Sequence, residues 1–223
     1  MTESQVLESP QQTTLPVADS PSALQQIRPT EAEVHPLFVE RWSSRAFDAE
    51  PVPAHMLRSL FEAARWAPSS ANEQPWLFVY ATTPEDRARF AQALLPMNRV
   101  WAERAPVLAF LFARTRFSQP GPFQGRENPT SSFDAGAAWM SLAMQSHLLG
   151  LATHAMGGID RPEAHRLLGV PSSDYTALIA IAIGRRADPS NLPEPYLSRE
   201  APSQRRPLRE VAVEGRFSPI QVA

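Results

Sequence analysis

Cysteine is absent from the 223 residues. The chain therefore forms no disulfide and offers no thiolate metal ligand, no iron–sulfur cluster and no cysteine nucleophile. Its five histidines, His35, His55, His147, His154 and His165, are scattered, and no pair has a spacing that marks a metal site. There is no Gly-x-Gly-x-x-Gly fingerprint, no Gly-Lys-Ser/Thr phosphate loop and no Gly-x-Ser-x-Gly elbow. No segment approaches the roughly 20 apolar residues needed to cross a bilayer, so no membrane partner is expected. The start of the chain carries Glu3, Glu8 and several prolines without an apolar stretch, which argues against a secretory signal. A net charge of −2 gives no general attraction to nucleic acid. These absences leave a soluble cytoplasmic protein as the expectation.

Proline, by contrast, is plentiful. Its 23 copies are about twice the average share and gather at the ends and in loops. Residues 1–28 are rich in Ser, Gln, Thr and Pro and poor in large apolar side chains, so they are expected to be disordered or draped over the surface. One domain is expected over 29–211, with 212–223 as a tail. Pro36 suits the first turn of a short helix that ends near Arg41. Leu57, Leu60, Phe61 and Ala64 have the spacing of an amphipathic helix, which Pro68 stops. A strand is expected over 76–81. Thr83-Pro84 then reads as the start of a helix whose buried face holds Phe90, Ala91, Leu94 and Leu95. The apolar run 107–113 suits a strand buried on both faces.

Residues 114–132 hold three prolines and two glycines and read as a long functional cover loop. The longest helix is expected over 133–149, capped by Asp134 or Ser132, with Met140 and Met144 in the core and a face of small residues. A short strand runs into Gly157-Gly158, and His154 just before that turn reads as a satisfied core or surface histidine. A further strand covers 175–183. From 185 the chain becomes a proline-rich arm, which a partner subunit could hold in order. The strands are too far apart in sequence for hairpins, which argues for a mixed sheet with helices on its faces.

Two stretches carry chemistry. Residues 66–76 read Trp-Ala-Pro-Ser-Ser-Ala-Asn-Glu-Gln-Pro-Trp. Hydroxyls and an amide between two prolines make either a rigid turn in a hydrophobic frame or one wall of a pocket for a flat aromatic ligand. Residues 41–47 read Arg-Trp-Ser-Ser-Arg-Ala-Phe. In an extended chain Arg41, Ser43 and Arg45 share one side, and guanidinium forks suit phosphate. The plainer alternative is a basic, solvated helix end.

Together these stretches resemble the FMN-dependent nitroreductase family. The resemblance rests on Arg41, Ser43, Arg45 and Phe47, then Pro68, Ser69, Asn72, Gln74, Pro75 and Trp76. Met156-Gly157-Gly158-Ile159-Asp160 and Arg205-Arg206-Pro207-Leu208 follow in the same order. It implies an α+β fold with a mixed, largely antiparallel sheet sandwiched by helices, in an intertwined homodimer with FMN at the interface. The arm at about 185–211 would cross to the partner.

It further implies a phosphate clamp of Arg41, Ser43, Arg45 and Arg205, with Trp42 beside it. Arg206 is an alternative to Arg205, and Ser203 stands where a second charge would be. Pro68, Ser69 and Ser70 would come from the other subunit, Asn72 would bond the pyrimidine edge, and Met156, Gly157 and Gly158 would let backbone approach the ring. NADH or NADPH would reduce the flavin, and a nitroaromatic, quinone or enone would then reoxidise it in a ping-pong cycle. No side chain need be a catalytic acid or base, and no metal is implied. The alternatives are a specialised flavoenzyme of the same fold (dehydrogenation, dehalogenation or flavin breakdown) and a non-enzymatic flavin store.

Overall fold

A computed structural model describes residues 23–216. The heart of the fold is a four-stranded sheet of β1 (Trp76–Ala81), β2 (Val107–Arg114), β3 (Ala152–Met156) and β4 (Tyr175–Gly184), in the order β1-β2-β4-β3. Every pairing in it is antiparallel. The expected mixture of directions is therefore absent among the described residues. Helical connections can join antiparallel neighbours as well as parallel ones, and spacing along the chain does not tell the two apart.

The sheet separates two cores because side chains alternate across a strand. Leu108, Phe110 and Phe112 face one side with Ala180 and Ala182. Val107, Ala109, Leu111 and Ala113 face the other with Ile181 and Ile183. The second side is covered by α3 (Ala54–Arg65) and α6 (Ser131–Leu148). The first is covered by α4 (Pro84–Ala91), α5 (Pro96–Ala102) and α7 (Arg161–Leu168). Both flanks of β2 are thus buried, as its unbroken apolar run requires. Two shorter helices, α1 (Ala23–Ile27) and α2 (Pro36–Glu40), precede this body. No helix among the described residues is long and apolar enough to cross a membrane.

Local signals explain most boundaries. Pro36 and Pro84 occupy first turns, and Thr83 accepts the Asp86 amide as a cap. Gly169, at φ +69°, closes α7 in the left-handed conformation. Other expectations need correction. The cap residue of α6 is Thr130, not Ser132 or Asp134, and the buried Asp134 carboxylate instead binds outward to another loop. Leu95 and Met140 are exposed, the latter on the outer face of α6, while Leu94, also beyond the end of α4, stays buried. Of the stretch 1–28, residues 1–22 lie outside the described residues, while 23–27 form α1 and Arg28 is buried. The tail residues 217–223 also lie outside.

The arm after β4 packs on its own chain. Phe47 bridges Arg186, with Asp48 N donating to Arg185 O at 3.0 Å and Ala187 N to Ala46 O at 3.1 Å. Tyr196 donates its hydroxyl to Met97 O at 2.6 Å. These contacts carry the 41–47 stretch to the C-terminal end of β4.

Candidate cofactor-binding site

Helix α2 stops at Arg41, whose backbone turns extended. Arg41, Trp42, Ser43 and Arg45 then line a cavity of about 320 Å³. Arg199, Ser203 and Arg205 close it from the arm, and His154 closes it from β3. Five of the residues singled out in the sequence thus meet in one place. Arg205, and not Arg206, reaches it; Arg206 faces a separate groove beside residues 29–34.

The cavity is rich in positive charge. Burial, then Arg205, then Arg28 lower the pKa of Arg41. Burial and Arg205 do the same to Arg28. Arg28 donates to the carbonyls of Val39 and Arg41, two groups that the end of α2 leaves without helical partners. It thereby brings another guanidinium toward the cavity from behind. Among the described residues Glu200 supplies the one carboxylate paired with these arginines, at 3.5 Å from Arg45 Nη1. That carboxylate is largely spent on the backbone. Its Oε1 accepts from Ser44 Oγ and Arg45 N at 2.6 Å each and from Ala46 N at 3.1 Å. Ser203 steadies Arg205 through its hydroxyl at 3.1 Å.

A dianionic phosphate fits this donor set. Four guanidiniums and two serine hydroxyls line the cavity, and Trp42 beside them keeps a buried indole N–H without an acceptor. Charge-assisted donors in a partly dry cavity are what a phosphomonoester needs.

His154 belongs to the cavity and is not merely a core or surface histidine. Its Nδ1 lies 3.1 Å from Ser44 O, and its ring lies 4.6 Å from that of Trp101. Burial lowers its pKa to about 4, aided by Arg45 and opposed by the Ser44 and Ser43 carbonyls and by Glu200.

The other expected residues lie elsewhere. Pro68, Ser69, Ser70 and Asn72 form a tight loop after α3, with Ala71, Asn72 and Gln74 at φ values of 52–53°. Ser69 Oγ accepts the Gln74 amide at 2.9 Å, and Ser70 N donates to Asp134 Oδ2 at 3.2 Å. The buried Glu73 carboxylate accepts from Ser118 N, Ser118 Oγ and Gln119 N at 2.7–3.2 Å, tying this loop to the 115–130 segment. Helix α6 serves as a ruler between loop and cavity. Asp134 holds Ser70 near its start, and His147, 3.7 Å from Glu40, stands thirteen residues on, next to the end of α2. At 1.5 Å per residue that is about 20 Å. Within one chain, loop and cavity do not meet.

Met156, Gly157 and Gly158 follow His154 at the end of β3. A Cβ on Gly157 would have no atom within 4 Å, whereas one on Gly158 would lie 2.6 Å from Asn98 Nδ2. A side chain at 158 would therefore displace the Asn98 amide, which donates to Gly158 O at 3.0 Å. Leu95 N donates to the same oxygen at 3.1 Å.

Sequence reasoning missed Arg28, Asn98, Arg199 and Glu200. Glu200 reaches the motif across 155 residues of chain, and no local pattern announces such a contact. Arg199 was legible only as one of several arginines on the arm.

Comparison with known proteins gives a consistent answer. A model of the Nitroreductase family matches residues 39–101 and 96–185. A Streptomyces coelicolor protein, named provisionally as an NADH dehydrogenase/NAD(P)H nitroreductase, is 31% identical over 69% of this chain and 83% of its own. The CLA biosynthesis enone reductase of Lactiplantibacillus plantarum is 28% identical over 68% of this chain and 84% of its own. A solved structure described as an oxidoreductase containing FMN is 45% identical, with a TM-score of 0.81, over 86% of this chain and 96% of that one.

Proposed function

The chain belongs to the nitroreductase family, and from that premise we propose that it is an FMN-dependent oxidoreductase using NADH or NADPH to reduce a small electron-poor acceptor. The observation that carries this reading is the cavity of Arg41, Arg45, Arg199 and Arg205, whose charge one committed carboxylate does not balance. The similar structure that contains FMN supports the identity of the ligand. The enone reductase relative supports conjugated carbonyls, beside nitroarenes and quinones, as the acceptor class.

The residues divide the work of holding the cofactor. Arg41, Ser43, Arg45 and Arg205 take the phosphate, with Arg199 adding charge. Arg28 holds the Arg41 carbonyl, and Glu200 holds the Arg45 and Ala46 amides. The open space beside Gly157 leaves room for the flat ring. Gly158 O is fixed by Asn98 and Leu95, while the Gly158 N–H has no acceptor among the described residues and is free for a ring nitrogen. FMN bound there supplies two-electron transfer between the nicotinamide and the acceptor, and the protein supplies orientation and electrostatics.

The Pro68–Ser69–Ser70–Asn72 loop completes the site from a second subunit. None of these loop residues lines the cavity of its own chain, which supports this. The exposed side chains of Phe133, Met140 and Leu148 on α6 suit burial in such a homodimer.

The test is direct. Purified protein should show a flavin spectrum or take up added FMN, and should bleach anaerobically with NADH or NADPH. A protein that stays colourless with added FMN would end this reading.

A further inference from the structure

We propose that His154 is a proton-carrying ligand of the bound phosphate, so that the cofactor binds together with one proton. The inference rests on the FMN reading above and concerns how this chain's own cavity meets the phosphate.

The geometry fixes the state of the ring. A carbonyl only accepts, so the nitrogen beside Ser44 O, Nδ1, must carry a hydrogen. In the neutral ring, Nε2 then keeps its lone pair, and Nε2 is the nitrogen left for a ligand in the cavity. Trp101 packs against the ring and holds this orientation. A dianionic phosphate presents acceptors only, and a lone pair turned toward it repels. One proton at Nε2 turns that repulsion into a charge-assisted hydrogen bond.

The surroundings set when the proton arrives. His154 meets the Ser43 and Ser44 carbonyls and Arg45 from the segment after α2, and Arg199, Glu200 and Arg205 from the arm. Arg41 lines the same cavity. Without an anion, burial, aided by Arg45, keeps the ring neutral until about pH 4. A bound dianion cancels the guanidinium charge and adds its own attraction, so the ring gains a proton near neutrality. The two carbonyls already favour the charged ring. The cavity thus holds a histidine that is neutral when no anion is present and cationic when one is.

The test measures protons as well as binding. At about pH 7.5 a free phosphomonoester is already a dianion, its second pKa being about 6. FMN binding to apoprotein, followed by calorimetry in two buffers of different ionisation heat, should therefore show net proton uptake. Riboflavin, which lacks the phosphate, should show none, and neither should FMN with His154→Gln. Above the phosphate's own second pKa of about 6 and below the bound-state midpoint, the FMN Kd of the wild type should rise by up to about tenfold per pH unit, while His154→Gln stays flat.

Should His154→Gln fail to fold, histidine NMR on the wild type decides the matter. The His154 midpoint, about 4 in the apoprotein, should move up by ~3.5 or more units with FMN or inorganic phosphate, as uptake at about pH 7.5 requires, and stay put with riboflavin. FMN binding with an unmoved midpoint, or with equal proton uptake in wild type and His154→Gln, overturns the role of His154 alone. Wild-type apoprotein that takes up no FMN overturns the FMN reading and this proposal with it.

Discussion

Glu200 Oε1 accepts the Arg45 backbone N–H at 2.6 Å, across 155 residues of chain. The same carboxylate serves Ser44 Oγ and Ala46 N, and its side chain is 3% exposed. A residue on the arm therefore fixes the backbone from which Arg45 projects. Glu200→Ala would leave the Arg45 and Ala46 amides and the Ser44 hydroxyl without this acceptor, a loss of about 1–3 kcal/mol. The urea midpoint should fall accordingly and FMN affinity with it. Glu200→Gln, which keeps one acceptor oxygen, should lose less. Unchanged midpoints would show that something other than the arm holds the motif.

Arg41→Ala should weaken FMN binding by ~1.5–3 kcal/mol, the scale of a charged hydrogen bond, and leave riboflavin binding nearly unchanged. Pairing it with Asn72→Ala tests the two-subunit site. If loop and cavity come from different chains, a mixed dimer of the two variants regains one intact site, whereas each variant alone has none. Titration of FMN into purified mixed dimers reads this out, and a mixture no better than its parents would place loop and cavity in one subunit.

Glu73 ties the loop of residues 68–75 to residues 115–130. Burial pushes its pKa up, but the hydroxyl and amide of Ser118, the Gln119 amide and Arg114 together bring it below the ordinary carboxylate value. A depressed carboxylate pKa means that its stabilisation is present above the unfolded value, about 4.3, and is lost as pH falls through the folded value. Cleavage within 115–130 by an acid-active protease should accelerate below that point. At neutral pH, Glu73→Ala should show similarly accelerated cleavage by a neutral protease. Equal cleavage rates in wild type and Glu73→Ala would dismiss the tie.

The paired glycines should answer differently to a methyl group. Gly157→Ala meets open space, so stability should hold while FMN affinity drops, because the added carbon intrudes where the ring is proposed to lie. Gly158→Ala must displace Asn98 and lose its bond to Gly158 O, at about 1 kcal/mol, visible as a lower melting temperature without FMN. Identical behaviour of the two variants would contradict this division.

Residue order alone determined much of this protein. The strand β1 falls where the apolar run after Trp76 put it, and Thr83-Pro84 began its helix, because turn chemistry and prolines act within a few residues. That Arg41, Ser43 and Arg45 line one cavity was legible because an extended segment places alternate side chains on one side. Tertiary structure decided what lies between distant segments. It set the direction of every strand pairing, chose Arg205 over Arg206, and brought Glu200 and His154 to the arginines. It also turned Asp134 from an expected cap into the holder of Ser70. Such contacts depend on how helices and sheet pack in three dimensions, and no periodicity along the chain encodes them.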